Sequence, residues 1–196
     1  MRVLAALALC ATLCSAAAAQ EEYFPLQEGH SWTYTGTFNG RDLKIVQKVT
    51  KKEKVGDVEC FVLMTTPSSN KEGEHVVVTK TGVWRHRYRG EDLVPPVEFL
   101  RFPVKAGHKW DTKYTSKLGG GETEVKGSFE VVAEEDLEVP AGRFKAFKVA
   151  VDMKIGDQSS KSAIWFAKDV GIVQQSFTLP AGEVVVKLAK FEKGKP

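Results

Sequence analysis

The sequence predicts an all-β protein: a curved antiparallel sheet, barrel or half-barrel in form, of about ten strands laid down as two tandem meanders. Three observations predict it. Apolar and polar residues alternate with period two in one segment after another. No window of helical length shows an apolar period of 3.6 outside the first 19 residues, so little or no helix is expected in the mature chain. The chain also repeats itself. Phe24-Pro25-Leu26-Gln27-Glu28-Gly29-His30-Ser31-Trp32 reads again as Phe102-Pro103-Val104-Lys105-Ala106-Gly107-His108-Lys109-Trp110, at an offset of 78 residues.

Residues 1–19 read as a signal peptide. Met1-Arg2 is a minimal basic start, Val3 to Leu13 is an apolar run too short to span a bilayer, and Ala16 to Ala19 supply small residues for cleavage near Ala19. A lipidated Cys needs a small residue directly before it. Leu9 precedes Cys10 and Leu13 precedes Cys14, which disfavours lipidation. The remaining 177 of 196 residues, 20–196, form a single all-β domain of ordinary size. No transmembrane segment follows, so the product is expected in the periplasm or outside the cell. Cys60 is then the only thiol left. It aligns with Ala146 in the second copy, which predicts a buried thiol acting as a small hydrophobe. Without Arg2 the chain carries 27 basic against 25 acidic side chains, too even a balance to imply nucleic acid as a partner.

Taken in order, Trp32 to Phe38 alternates aromatic residues with Thr, and Asn39-Gly40 is a hairpin signal. A return strand runs from Arg41 to Thr50, with Lys51 to Lys54 as a charged exit. Val58 to Thr66, His75 to Lys80 and Val83 to Arg89 follow, with Pro67 to Gly73 as a polar loop. In the last of these, Trp84, His86 and Tyr88 are expected on one face, and Arg85, Arg87 and Arg89 on the other. Gly90 to Pro96 reads as a breaker between the copies, because Pro95-Pro96 excludes helix and central strand alike. In the second copy, Trp110 to Tyr114, Val125 to Val131, Phe147 to Ile155, Ser162 to Ala167, Gly171 to Leu179 and Val184 to Phe191 are the strands. Gly119-Gly120-Gly121 and Val139-Pro140-Ala141-Gly142 are turns, and Glu134-Glu135-Asp136 reads as a solvated acidic turn. Two further matches extend the repeat to about 23–90 and 101–179: Gly56 to Leu63 with Gly142 to Val149, and Val77 to Val83 with Phe166 to Ile172.

The motifs Phe24-Pro25-Leu26 to Tyr34, Val139-Pro140-Ala141-Gly142-Arg143-Phe144 to Val149, and Trp165 to Val173 resemble those of a family of uncharacterised exported bacterial β-rich proteins. The resemblance implies export and a β-rich fold, and no activity. At the level of fold, a curved antiparallel sheet is similar to the periplasmic lipoprotein carriers.

Candidate chemistry is sparse. His30, His75, His86 and His108 have no metal spacing with each other or with Cys60. His30 and His108 read as turn-capping residues, with a shared metal site across the repeat axis as the sharper alternative. There is no nucleophile elbow and no phosphate loop. Arg85, Arg87 and Arg89 read either as a charged edge strand that blocks aggregation or as an anion or lipid-headgroup site. Trp32, Trp110, Phe147, Val149, Val151 and Trp165 fill the core or line a cavity in a sheet too wide to fill itself. The sequence therefore predicts a non-catalytic binding protein with no cofactor and no metal. Its partner is an apolar or amphipathic small molecule or lipid; the alternative is a cell-envelope scaffold with a filled core.

Overall fold

A computed structural model describes residues 23–67, 73–117, 121–179 and 182–195. The predicted signal peptide, its cleavage site, Cys10, Cys14, most of the Pro67–Gly73 loop and most of the Gly119–Gly121 turn lie outside them. Twelve strands form one antiparallel sheet. They are β1 (Ser31–Phe38), β2 (Arg41–Val55), β3 (Val58–Thr66), β4 (Glu74–Val78), β5 (Gly82–Tyr88), β6 (Glu91–Arg101), β7 (Lys109–Ser116), β8 (Thr123–Val139), β9 (Gly142–Ile155), β10 (Gln158–Ala167), β11 (Gly171–Leu179) and β12 (Gly182–Glu192). Spatial order runs β6-β5-β4-β3-β2-β1-β12-β11-β10-β9-β8-β7. Each meander is therefore sequential, and the β1–β12 ladder joins them, Trp32 opposite Phe191 and Thr37 opposite Val185.

This is the all-β curved sheet that the alternation predicts, with more strands than the expected ten. Three misreadings account for the surplus and for longer elements. The stretch Gly90–Pro96 is not a breaker, because β6 runs through it. Pro95 and Pro96 fit because β6 is an edge strand and because its ladder to β5 breaks there: Asp92 pairs with Arg87 and Val97 with Arg85, which leaves residues 93–96 without a ladder partner. Lys51 to Lys54 is not an exit either: β2 continues to Val55, which pairs with Val58. Likewise, Glu134-Glu135-Asp136 lies mid-strand in β8, opposite Phe147, Ala146 and Lys145 of β9.

The sheet curls until its edges, β6 and β7, face each other. Among the described residues no ladder joins them. Hydrogen bonds cross the gap instead, among them Trp110 Nε1 to Glu98 O at 2.9 Å, Lys117 N to Glu91 Oε2 at 3.0 Å and Ser116 Oγ to Glu91 Oε2 at 3.4 Å. The guanidinium of Arg101 lies 5.4 Å from the Trp110 ring. The barrel is thus closed by side chains along one seam.

One end of the barrel is plugged. Phe24, in the segment before β1, meets Phe99 of β6 edge-on at 5.7 Å and Phe166 of β10 at 6.4 Å. Tyr23 packs on Phe147, and Trp32 stacks on Phe191. The two Gly-His corners are held alike. Gly29 N donates to Val49 O and Val49 N to His30 O; Gly107 N donates to Val131 O and Val131 N to His108 O. Gly29 and Gly107 sit at φ 86° and 85°, a left-handed conformation that costs an L side chain energy.

Candidate functional site

The barrel interior holds a cavity of about 320 Å³, to which ten strands, β2 through β11, contribute. Its floor and walls are apolar: Phe24, Leu63, Val76, Val97, Phe99, Phe129, Val151, Ile164 and Ile172. Polar groups collect toward the other end, where Glu74 begins β4, Tyr88 ends β5, and Gln47, Tyr114, Ser162 and Gln175 join them. Phe177 also lines it and is 37% exposed, which marks the mouth.

Arg85 is the charged group of the cavity that sequence reading misplaced. It reaches the interior because β5 bulges. On β4, His75 pairs with Arg87 and the next residue, Val76, pairs with Arg85, so β5 carries one extra residue there, His86. A bulge of this kind resets the alternation of faces. Arg85 therefore faces inward, opposite Val76 and Val97, whereas Arg87 faces outward beside His75 and pairs with Asp92. Arg89 is not in the strand at all; it is a turn residue at φ 52°. The three Arg do not share a face.

Inside, an Nη of Arg85 pairs with Glu74 at 2.8 Å. Its guanidinium lies 4.9 Å from the Phe99 ring and 5.1 Å from the Tyr88 ring, distances at which a cation is held by ring faces. The Nε of Arg85 is buried and has no hydrogen-bond partner. Burial pushes the Tyr114 phenol above its usual pKa, and the positive charge of Arg85 partly opposes that shift.

Of the six apolar residues predicted to line an interior, Val151 lines this cavity. Val149 and Phe147 lie on the same face of β9, Val149 fully buried in the core and Phe147 against Tyr23. Trp32 and Trp110 are buried as staples: Trp32 Nε1 donates to Val170 O at 2.6 Å, and Trp110 stacks on Phe129 at 5.2 Å while bonding across the seam. Trp165 alternates with the cavity-lining Ile164, donates to Glu135 Oε2 at 2.9 Å and lies under Lys148. The polar set Gln47, Glu74, Tyr88, Tyr114 and Gln175 was missed by sequence reading. Their inward facing follows from register, and no local motif marks it.

His30 Nδ1 sits 3.3 Å from Pro25 O at its corner, as a capping role requires. Among the described residues no group of three His, Cys, Asp or Glu converges closely enough to hold a metal ion, and no helix is long and apolar enough to cross a membrane.

Residues 124–177 match the DUF3108-like family model. The match spans β8 through most of β11, the stretch that supplies the cavity residues Phe129, Val151, Ile164 and Ile172. Among solved structures, a candidate lipoprotein of Parabacteroides distasonis is similar at a TM-score of 0.53 and 15% identity, over 87% of this chain and 98% of that one. A candidate exported protein with YmcC-like fold from Bacteroides fragilis is similar at 0.48 and 14%, over 88% and 99%. The first likeness shows that the fold recurs. No curated protein matches the chain.

Proposed function

We propose that this is an exported, non-catalytic protein that takes an apolar or amphipathic small molecule or lipid into its barrel, as a carrier or sensor. The observation that carries the reading is the 320 Å³ interior space, apolar below and polar at its mouth. Ligand sites span about 300–1,000 Å³, and this one is at the small end. A scaffold module would have no reason to keep such a space open, because unfilled interior forfeits packing. Val151 is the predicted lining residue retained in this reading; Trp32, Trp110, Phe147, Val149 and Trp165 would hold the walls and floor. Export is supported by the basic start, apolar run and Ala-rich end of residues 1–19. The test is uptake of phenylnaphthylamine, a neutral apolar fluorophore, followed by competition with lipids, alongside mass spectrometry of molecules that co-purify. No saturable uptake and no co-purified molecule would leave the scaffold reading in place.

The repeat is read as a tandem duplication, now with units β1–β6 and β7–β12. Matching strand order supports it, as do the matching bonds at the two Gly-His corners. So do bulges at equivalent points, after Val49 in the β2–β3 pair and after Val131 in the β8–β9 pair.

A further inference from the structure

The geometry points to a single-chain amphiphile with an oxyanion head as the occupant of the barrel, with Arg85 binding the head and Glu74 as the carboxylate the head competes with. This rests on the cavity being a ligand site and adds the chemistry of what fills it. A guanidinium carries five N–H donors. Glu74 engages one end of it, at 2.8 Å, and the buried Nε is left without an acceptor. An unmet donor in a partly dry cavity is unfavourable until an acceptor arrives, and an ionised acceptor satisfies it best. The Tyr88 and Phe99 rings hold the guanidinium in place before any ligand binds. Little side-chain freedom is then lost on binding, which favours affinity.

The placement fits an amphiphile end to end. Arg85 lies inward of Tyr88, the last residue of β5, and Tyr114 is near enough for the Arg85 charge to act on its phenol. Beyond them toward the plug the lining is apolar, ending at Phe24. A head at Arg85 therefore directs a chain onto Phe129 and Ile164. The modest volume suits one chain and not two. The fork of Arg matches carboxylate and phosphate alike, so the class is defined by the oxyanion and the source is left to the test.

The experiment is displacement of bound phenylnaphthylamine by dodecanoate, dodecyl phosphate and dodecanol, all below their micelle-forming concentrations. In the wild-type protein, at least one oxyanion is expected to displace the probe at roughly ten- to a hundredfold lower concentration than dodecanol, the range for a hydrogen bond to a charged group. Whichever oxyanion is stronger identifies the source. Arg85→Gln should erase that preference and leave dodecanol unchanged. Arg85→Lys, which keeps the charge without the fork, should retain part of it. Glu74→Gln, which removes the competing carboxylate, should enlarge it. Near-ultraviolet circular dichroism of each variant checks the fold. If all three compounds compete equally in the wild type, or if Arg85→Gln weakens dodecanol as much as the oxyanions, the head assignment is overturned and the cavity reading survives. If the probe and all three fail to bind, both fall together.

Discussion

His75 is buried on the outer face of β4, and both its ring nitrogens lack a hydrogen-bond partner; Glu53 Oε2 approaches Nε2 only to 3.8 Å. Arg87 and Lys51 are close enough to oppose its protonation, and Glu53 and Asp92 are the acids nearby. Burial, then Arg87, lowers its pKa, and burial lowers that of His86 as well. The unfolded chain takes up these protons near pH 6.5 and the folded chain only at lower pH, so stability is full above about 6.5 and falls as the pH drops through the window below it. Urea denaturation at pH 7.5 and 5.5 should show that loss, and His75→Leu should remove part of it. A loss of the same size in the variant would clear His75 of the role. Glu53 and Asp92, whose pKa values are lowered by their partners Lys51 and Arg87, act only at more acid pH. Cys60 lies on the same outer face, fully buried, and burial pushes its thiol up to about 11. The thiolate is the reactive form, so maleimide labelling of native protein should be far slower than in urea; equal rates would contradict the burial. Cys60 could be read from the sequence, because its counterpart in the repeat is Ala146, itself fully buried. Arg85 could not, since nothing in Arg85-His86-Arg87 announces an extra residue in the strand.

Alternation reveals that a segment is a strand; it does not reveal which face is in, because each bulge reverses the phase. The β5 bulge makes a specific forecast. With His86 as the extra residue, its deletion leaves Arg85 inward, Arg87 outward and Tyr88 inward. Deleting Trp84 would instead turn Arg85 out of the barrel. The His86 deletion should therefore keep the fold and the preference for oxyanions, and the Trp84 deletion should lose both, as read by thermal unfolding and probe displacement. Identical behaviour of the two would refute the assignment of the bulge. Pairings of distant strands are equally hidden from local patterns. The β1–β12 ladder joins residues separated by most of the chain, and Pro95-Pro96 obscures β6 because proline signals a break unless the strand is known to be an edge. The seam gives a smaller test: Trp110→Phe removes the donor to Glu98 O and should cost about 0.5–1.5 kcal/mol in denaturant titrations.

At the scale of the whole molecule, the repeat and the period-two pattern were enough to predict a curled sheet of two meanders. The closure, the plug and the contents of the cavity depend on contacts that no single segment encodes. If the interior is held open for a ligand, Val151→Phe should occupy part of it, abolish probe uptake and change stability by less than about 1 kcal/mol, since the added ring enters existing space. Uptake equal to wild type would show that the probe sits elsewhere. The seam between β6 and β7 has a mechanical meaning as well. A barrel laddered all the way round has a circumference fixed by its strand count and shear. This one is a split ring, sprung rather than welded, and its bore would widen by parting the side-chain contacts of the seam, the Arg101–Trp110 stack among them, while every ladder stays intact. Selection by girth should then be elastic. Occupants of increasing cross-section should bind with affinities that decline smoothly, with no sharp cut-off, and amide exchange should quicken along β6 and β7 before it does anywhere near β1 and β12.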